Sequence, residues 1–143
     1  MTPLRLSYRT LSPNAYQGLL ATKKALDESS LGKDLIELVY LRTSQINGCA
    51  FCLEMHGASL RARGVADAKL DSLAAWRLSA HFSEQERAAL AWTEALVDVA
   101  TTHAPDADYA PLRAHFSEAE IADLCFAIAL MSALNRMAIG ARQ

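Results

Sequence analysis

The stretch from Leu35 to Arg63, LIELVYLRTSQINGCAFCLEMHGASLRAR, limits what this chain can fold into more than any other. Its first part, Leu35 to Leu41, is apolar on almost every side of a helix and interrupted by one carboxylate, Glu37. A helix of that kind is a buried one, and Glu37 is expected to be buried with it. A carboxyl buried without a cation favours its protonated form, which makes Glu37 a candidate proton donor and acceptor. After the Asn47-Gly48 stop signal, a second helix starting near Asn47 places Cys49, Cys52 and His56 at i, i+3 and i+7. Both thiols and the imidazole then lie on one stripe, with Cys49 in the first helical turn, where free N–H groups and the positive dipole end favour a thiolate.

No segment alternates with period two for long enough to argue a strand, so the expected fold is all-α, a bundle of about six to eight helices. With 143 residues, 52% of them hydrophobic and 21% charged, the chain has material for one domain with a core and too little for two. The expected division is an N-terminal arm over residues 1–12 and a single domain over 13–143. The helices expected in order are Asn14 to Asp27, entered through Ser12-Pro13; Lys33 to Ile46; the cysteine helix, ending at Gly64; Asp67 to Trp76; Glu84 to Ala100; a short one near Tyr109–Arg113; and Glu118 to Ile139. The heptapeptides AHFSEQE (80–86) and AHFSEAE (114–120) match at six of seven positions. Each reads as a capping box, Ser83 with Glu86 and Ser117 with Glu120, and Phe116 is set to staple against Ile121. Two copies without a further internal pattern are repeated cap chemistry, not a solenoid.

A net charge of −2 and a pI near 6.1 supply no basic field, so nucleic acid is not an expected partner. The N-terminal residues lack the apolar core of a secretion signal. The longest apolar run, Leu124 to Leu134, is too short to span a bilayer, so a cytoplasmic protein with no membrane partner is expected. In a reducing compartment, three cysteines are not a structural disulfide framework, and a C-x-x-C pair is redox-active or metal-binding. The nearly all-round apolar character of the last helix points to a subunit interface. Cys125 within it reads as a small core residue, Trp76, Trp92 and Asn135 as core or interface, and no chemistry falls to His81, His103 or His115.

Two thiols two residues apart at a helix start can close a short disulfide and reopen it. His56 can take a thiol proton while Glu37 orients the imidazole and stabilises its charged form. Nearness to His56 favours Cys52 as the attacking thiol and the helix dipole favours Cys49, and the sequence leaves both open. The same groups, Cys49, Cys52, His56 and Glu37, are also a four-ligand zinc set, although three ligands from one helical stripe are unusual in a closed site. A redox-sensing or zinc-binding structural module is therefore the alternative to a dithiol enzyme, and a lyase independent of thiols is a third.

The pattern of Glu37, Cys49 twelve residues on, Cys-Ala-Phe-Cys, and His56 four residues after Cys52 resembles the alkylhydroperoxidase D (AhpD)-like branch of the carboxymuconolactone decarboxylase family. The likeness extends from Leu35 to Trp92 and to the Asn135-Arg136 end. It implies an AhpD-like all-α bundle and a thiol-dependent peroxidase that reduces hydroperoxides, with Cys49 and Cys52 as the redox pair and Glu37 and His56 as the proton relay. It also implies re-reduction by a dithiol partner, thioredoxin-like or lipoylated, a homotrimer or homohexamer, and no cofactor or metal. At Phe51 the best-known peroxidase of the family carries a histidine, so a second relay step is not implied here and the site is more apolar. The decarboxylases of the family lack the cysteine pair, so their lactone chemistry is not implied.

Overall fold

In the computed structural model, which describes residues 3–143, α3 (Lys33–Asn47) runs through the middle of the molecule with α2 (Pro13–Asp27), α4 (Ala50–Ala62), α6 (Glu84–Val97) and α9 (Glu118–Ala141) packed around it. Its near-continuous apolar character has a direct structural reason. Leu35, Ile36, Val39 and Tyr40 face one core, shared with α2, α6 and α9, in which Trp92, Leu124, Ile128 and Met131 are buried. Leu38 and Leu41 face a second core, shared with Leu60 of α4, Leu70, Leu73, Trp76 and Leu90. A helix with a core on each side needs apolar residues on both.

The fold is all-α, a single domain without strands among the described residues. The five long helices are those expected. Four single-turn helices, α1 (Tyr8–Leu11), α5 (Asp67–Asp71), α7 (Val99–Thr102) and α8 (Asp106–Tyr109), with 3₁₀ turns at Leu73–Leu78 and Ala110–Ala114, bring the total above six to eight. The helix expected from Asp67 to Trp76 divides at Ser72, and that expected from Glu84 to Ala100 stops at Val97, with Asp98 restarting the chain as α7. Both capping boxes form, each serine hydroxyl accepting an N–H and each Glu side chain accepting the serine N–H in return. Phe116 and Ile121 lie in the same cluster, as a staple requires. Ser12 precedes α2 without a side-chain capping bond, and Pro13 alone marks that start.

The segment before α2 is attached to the domain. The Arg5 N–H donates to the Ala141 carbonyl at 2.8 Å, and the buried Tyr8 donates its hydroxyl to Gln143 Oε1 at 2.6 Å. Met1 and Thr2, the start of the expected arm, lie outside the described residues. Helix α9 is long and apolar enough to cross a membrane by length and composition, yet it is a core helix. Its Leu124, Ile128 and Met131 face α3 and α6, and its fully buried Asn135 is hydrogen-bonded to α3.

Candidate functional site

The α3–α4 corner is a two-residue turn. Gly48 adopts φ 71°, the left-handed conformation that ends α3, and donates its N–H to the Ser44 carbonyl. Cys49 follows in extended conformation as the N-cap of α4, with its Sγ accepting the Cys52 N–H at 3.3 Å. The cap is thus the cysteine itself. It is neither Asn47 nor a residue of the first turn that holds this place, because Asn47 closes α3 and spends its side chain elsewhere. Asn47 Nδ2 donates to Asn135 Oδ1 at 3.1 Å, and Asn135 Nδ2 donates to Ser44 Oγ at 3.0 Å. This network pins the corner to α9. Cys49 and Cys52 are joined by a disulfide, their Cα atoms 5.3 Å apart, and Ala138 of α9 packs over them.

Glu37 and His56, nineteen residues apart, meet across the α3–α4 interface with His56 Nδ1 2.8 Å from Glu37 Oε2. Both are buried, at 4% and 2% exposure. The antiparallel corner returns His56 to the level of Glu37, so the buried carboxyl meets the imidazole that the sequence sets beside it. In the neutral tautomer whose Nδ1–H donates to the carboxylate, Nε2 is left as an acceptor. Nε2 is buried and has no hydrogen-bond partner. The ring of Tyr40, one helical turn beyond Glu37, packs against His56 with centroids 5.2 Å apart. Burial, and then the carboxyls of Asp27 and Glu37, push the Tyr40 hydroxyl above its usual range and keep its proton in place. That hydroxyl and Asp27 Oδ1 are likewise buried without partners.

Cys52 and His56 line a cavity of about 130 Å³, walled by Tyr8, Tyr16, Leu20, Phe51, Met55, Met131, Leu134 and Ala138, with Arg9 and Lys23 at its edge. Cys49 does not line it. The sequence pattern gave no sign of Tyr8, Arg9, Tyr16, Met131 or Leu134, which come from three separate helices. Phe51, beside Cys52, is partly exposed and supplies apolar wall. Cys125 is free and half-buried, its Sγ accepting the Trp92 Nε1–H at 3.3 Å, away from this site. His81, His103 and His115 are all exposed and outside it. In this disulfide state the four groups do not form a zinc ligand set: the sulfurs are bonded to each other, and Glu37 Oε2 is bonded to His56 Nδ1.

A dithiol on a helix N-terminus, backed by a buried carboxylate–imidazole pair and opening on an apolar cavity, defines an all-α dithiol protein. Residues 13–95 match the Carboxymuconolactone decarboxylase family, and the chain belongs to that family. Within it the chain is AhpD-like. A protein of unknown function from Agrobacterium tumefaciens, proposed to be the antioxidant defence protein AhpD, has the same fold with a TM-score of 0.94 and 39% identity, over 99% of this chain and 97% of that one. A peroxidase-related protein from Ralstonia eutropha JMP134, with an alkylhydroperoxidase AhpD core, matches with a TM-score of 0.80 and 27% identity over 92% of this chain and 70% of its own. Bacillus subtilis (strain 168) YdfG, named as an uncharacterized protein, is 32% identical over 135 residues, 94% of this chain and 92% of its own.

Proposed function

We propose that the protein is a thiol-dependent peroxidase that reduces hydroperoxides through a Cys49/Cys52 dithiol–disulfide cycle, with Glu37 and His56 as its proton relay. The observation that carries this reading is that Cys52 and His56 line one cavity and that His56 Nε2 has no hydrogen-bond partner. In the reduced protein, His56 Nε2 takes the Cys52 thiol proton while Glu37 balances the imidazolium through Nδ1. The Cys52 thiolate attacks the terminal peroxide oxygen and the O–O bond breaks. Cys52 becomes a sulfenic acid, and the alkoxide leaves as the alcohol with the proton from His56. The Cys49 thiol then attacks the Cys52 sulfur, forming the disulfide and releasing one water. A dithiol reductant, thioredoxin-like or lipoylated, reopens the disulfide and is itself oxidised to a disulfide. This order makes Cys52 the attacking thiol and Cys49, sealed under Ala138, the resolving one.

The test is turnover of an organic hydroperoxide with such a dithiol. Cys52→Ser should fall to the buffer rate and Cys125→Ser should keep full turnover. Retained turnover in Cys52→Ser would remove thiol chemistry from the reading. A cytoplasmic location suits the cycle, since the pair must be re-reduced. Phe126, Met137 and Ile139 leave apolar surface exposed on α9, which supports a homotrimer or homohexamer. Light scattering at micromolar concentration should show such an assembly, and a monodisperse monomer would contradict it.

A further inference from the structure

We propose that the cavity beside Cys52 selects hydroperoxides that carry a carboxylate, and that Arg9 is the residue that binds this group. The proposal rests on the peroxidase reading for the reaction, and on separate observations for the charge. The Arg9 guanidinium lies 5.8 Å from the ring centroid of Tyr8, 5.4 Å from that of Tyr16 and 5.9 Å from that of Phe51, all three residues of the cavity wall. Aromatic rings engage the face of a guanidinium and leave the N–H fork at its edge free. Among the described residues that fork donates to nothing, and Arg9 is the one arginine among the residues that line the cavity. Lys23, the other cation on the lining, is paired with Asp27 at 3.4 Å. No carboxylate lines the cavity. An oriented cation with an unused bidentate donor pair, at the edge of an apolar chamber that ends on the Cys52 sulfur, fits an anionic group attached to an apolar body.

Size narrows the class. The chamber, about 130 Å³, is small beside the roughly 300–1,000 Å³ of ordinary ligand pockets. The hydroperoxide and a short, branched or linear carbon body fill the chamber, and the carboxylate stays at the rim with Arg9. A long-chain acid whose peroxide lies far from its carboxylate does not meet both ends.

The experiment has two arms, both in the full chain. In the first, kcat/KM is measured for tert-amyl hydroperoxide and for its ω-carboxylate analogue, in the native protein, Arg9→Gln and Arg9→Lys. The native protein should prefer the carboxylate. That preference should drop by about 10-fold or more in Arg9→Gln, the scale of one charge-assisted hydrogen bond, and by less in Arg9→Lys, which keeps the charge and loses the fork. In the second arm, NMR titration of the oxidised protein compares pentanoate with pentanol, read at the Met55 and Met131 methyl groups. Tighter binding of pentanoate, lost in Arg9→Gln, is the expected result. Should neither hydroperoxide be turned over while pentanoate binds in this way, the peroxidase reading fails and the carboxylate site stands. Equal binding of pentanoate and pentanol, or a preference unchanged in Arg9→Gln, overturns the site whatever the turnover.

Discussion

Glu37 and Glu94 are both carboxylates drawn in from solvent, and the protein surrounds them in opposite ways. Glu94 on α6 is saturated with donors. Its Oε1 accepts from Trp76 Nε1 at 2.8 Å and from Arg42 Nη2 at 2.9 Å, its Oε2 accepts from Arg77 Nη1 at 2.5 Å, and Arg77 also stacks on Trp76. Glu37 has one partner, His56, whose second nitrogen is left unsatisfied. Two arginines and an indole cannot give up a proton in the working range, so the first cluster holds its charge and ties α3, α6 and the 3₁₀ turn together. An imidazole can both take and release one, so the second pair keeps proton traffic open. Saturation marks a carboxylate used as a structural tie, and one titratable partner beside a cavity marks one used for chemistry.

The strongest way to break this contrast is Glu37→Gln. If Glu37 stabilises the charged imidazole, peroxide turnover should fall by about 10²–10⁴-fold near neutral pH and by less at high pH, where the thiol ionises unaided. Stability should change little, because the amide keeps part of the hydrogen bonding. Superimposable pH profiles of turnover and thiol alkylation in the two proteins would take Glu37 out of the relay.

Glu94→Gln should do the reverse, sparing turnover and lowering stability by about 1.5–3 kcal/mol, the scale of hydrogen bonds to a charged group. Burial alone would raise the Glu94 carboxyl, but the hydrogen bonds from Trp76, Arg77 and Arg42, with the Arg77 charge, more than offset it and hold it below its ordinary value. A group lowered on folding contributes stability that is fully present above its unfolded value and is lost as pH falls through about 4 toward the folded one. Denaturation midpoints of the native protein should therefore drop over that window more steeply than those of Glu94→Gln. Parallel curves would show that Glu94 carries no such linkage.

The smallest effect is expected from Tyr40→Phe. A buried hydroxyl without a partner brings no hydrogen bond to lose and carries an uncompensated desolvation cost, so its removal should leave stability unchanged or raise it by about 1 kcal/mol. A loss of more than about 2 kcal/mol in chemical denaturation would show that Tyr40 belongs with the saturated carboxylate, holding structure through a bridged contact.

Glu37, Cys49, Cys52 and His56 were legible in the sequence because helical periodicity and one tight corner suffice to bring them together. All four sit within twenty residues on two adjoining helices. The all-α class and both capping boxes were legible for the same local reason. The cavity walls were not. Tyr8, Tyr16 and Met131 meet only when α1, α2 and α9 close over α4, and nothing in their local spacing encodes that closure. The same holds for Asn135, whose role depends on Asn47 and Ser44 some ninety residues earlier. The stop of α6 at Val97 also escaped a reading by period, because Asp98 and Val99 are compatible with helix and the break lies in backbone conformation.

The three-residue separation of the disulfide has a consequence for the conformational entropy of the unfolded chain. A cross-link restricts the denatured ensemble according to the logarithm of the loop it closes. In the chain-entropy description a four-residue loop is worth on the order of 2 kcal/mol, against about 4.7 for a loop of 100 residues. Opening this bond therefore releases less than half of the chain entropy that a bridge across about 100 residues would release. The reduced protein gives up about 2 kcal/mol of a stability of about 5–15 kcal/mol, and the packed helices hold the remainder while the dithiol cycles.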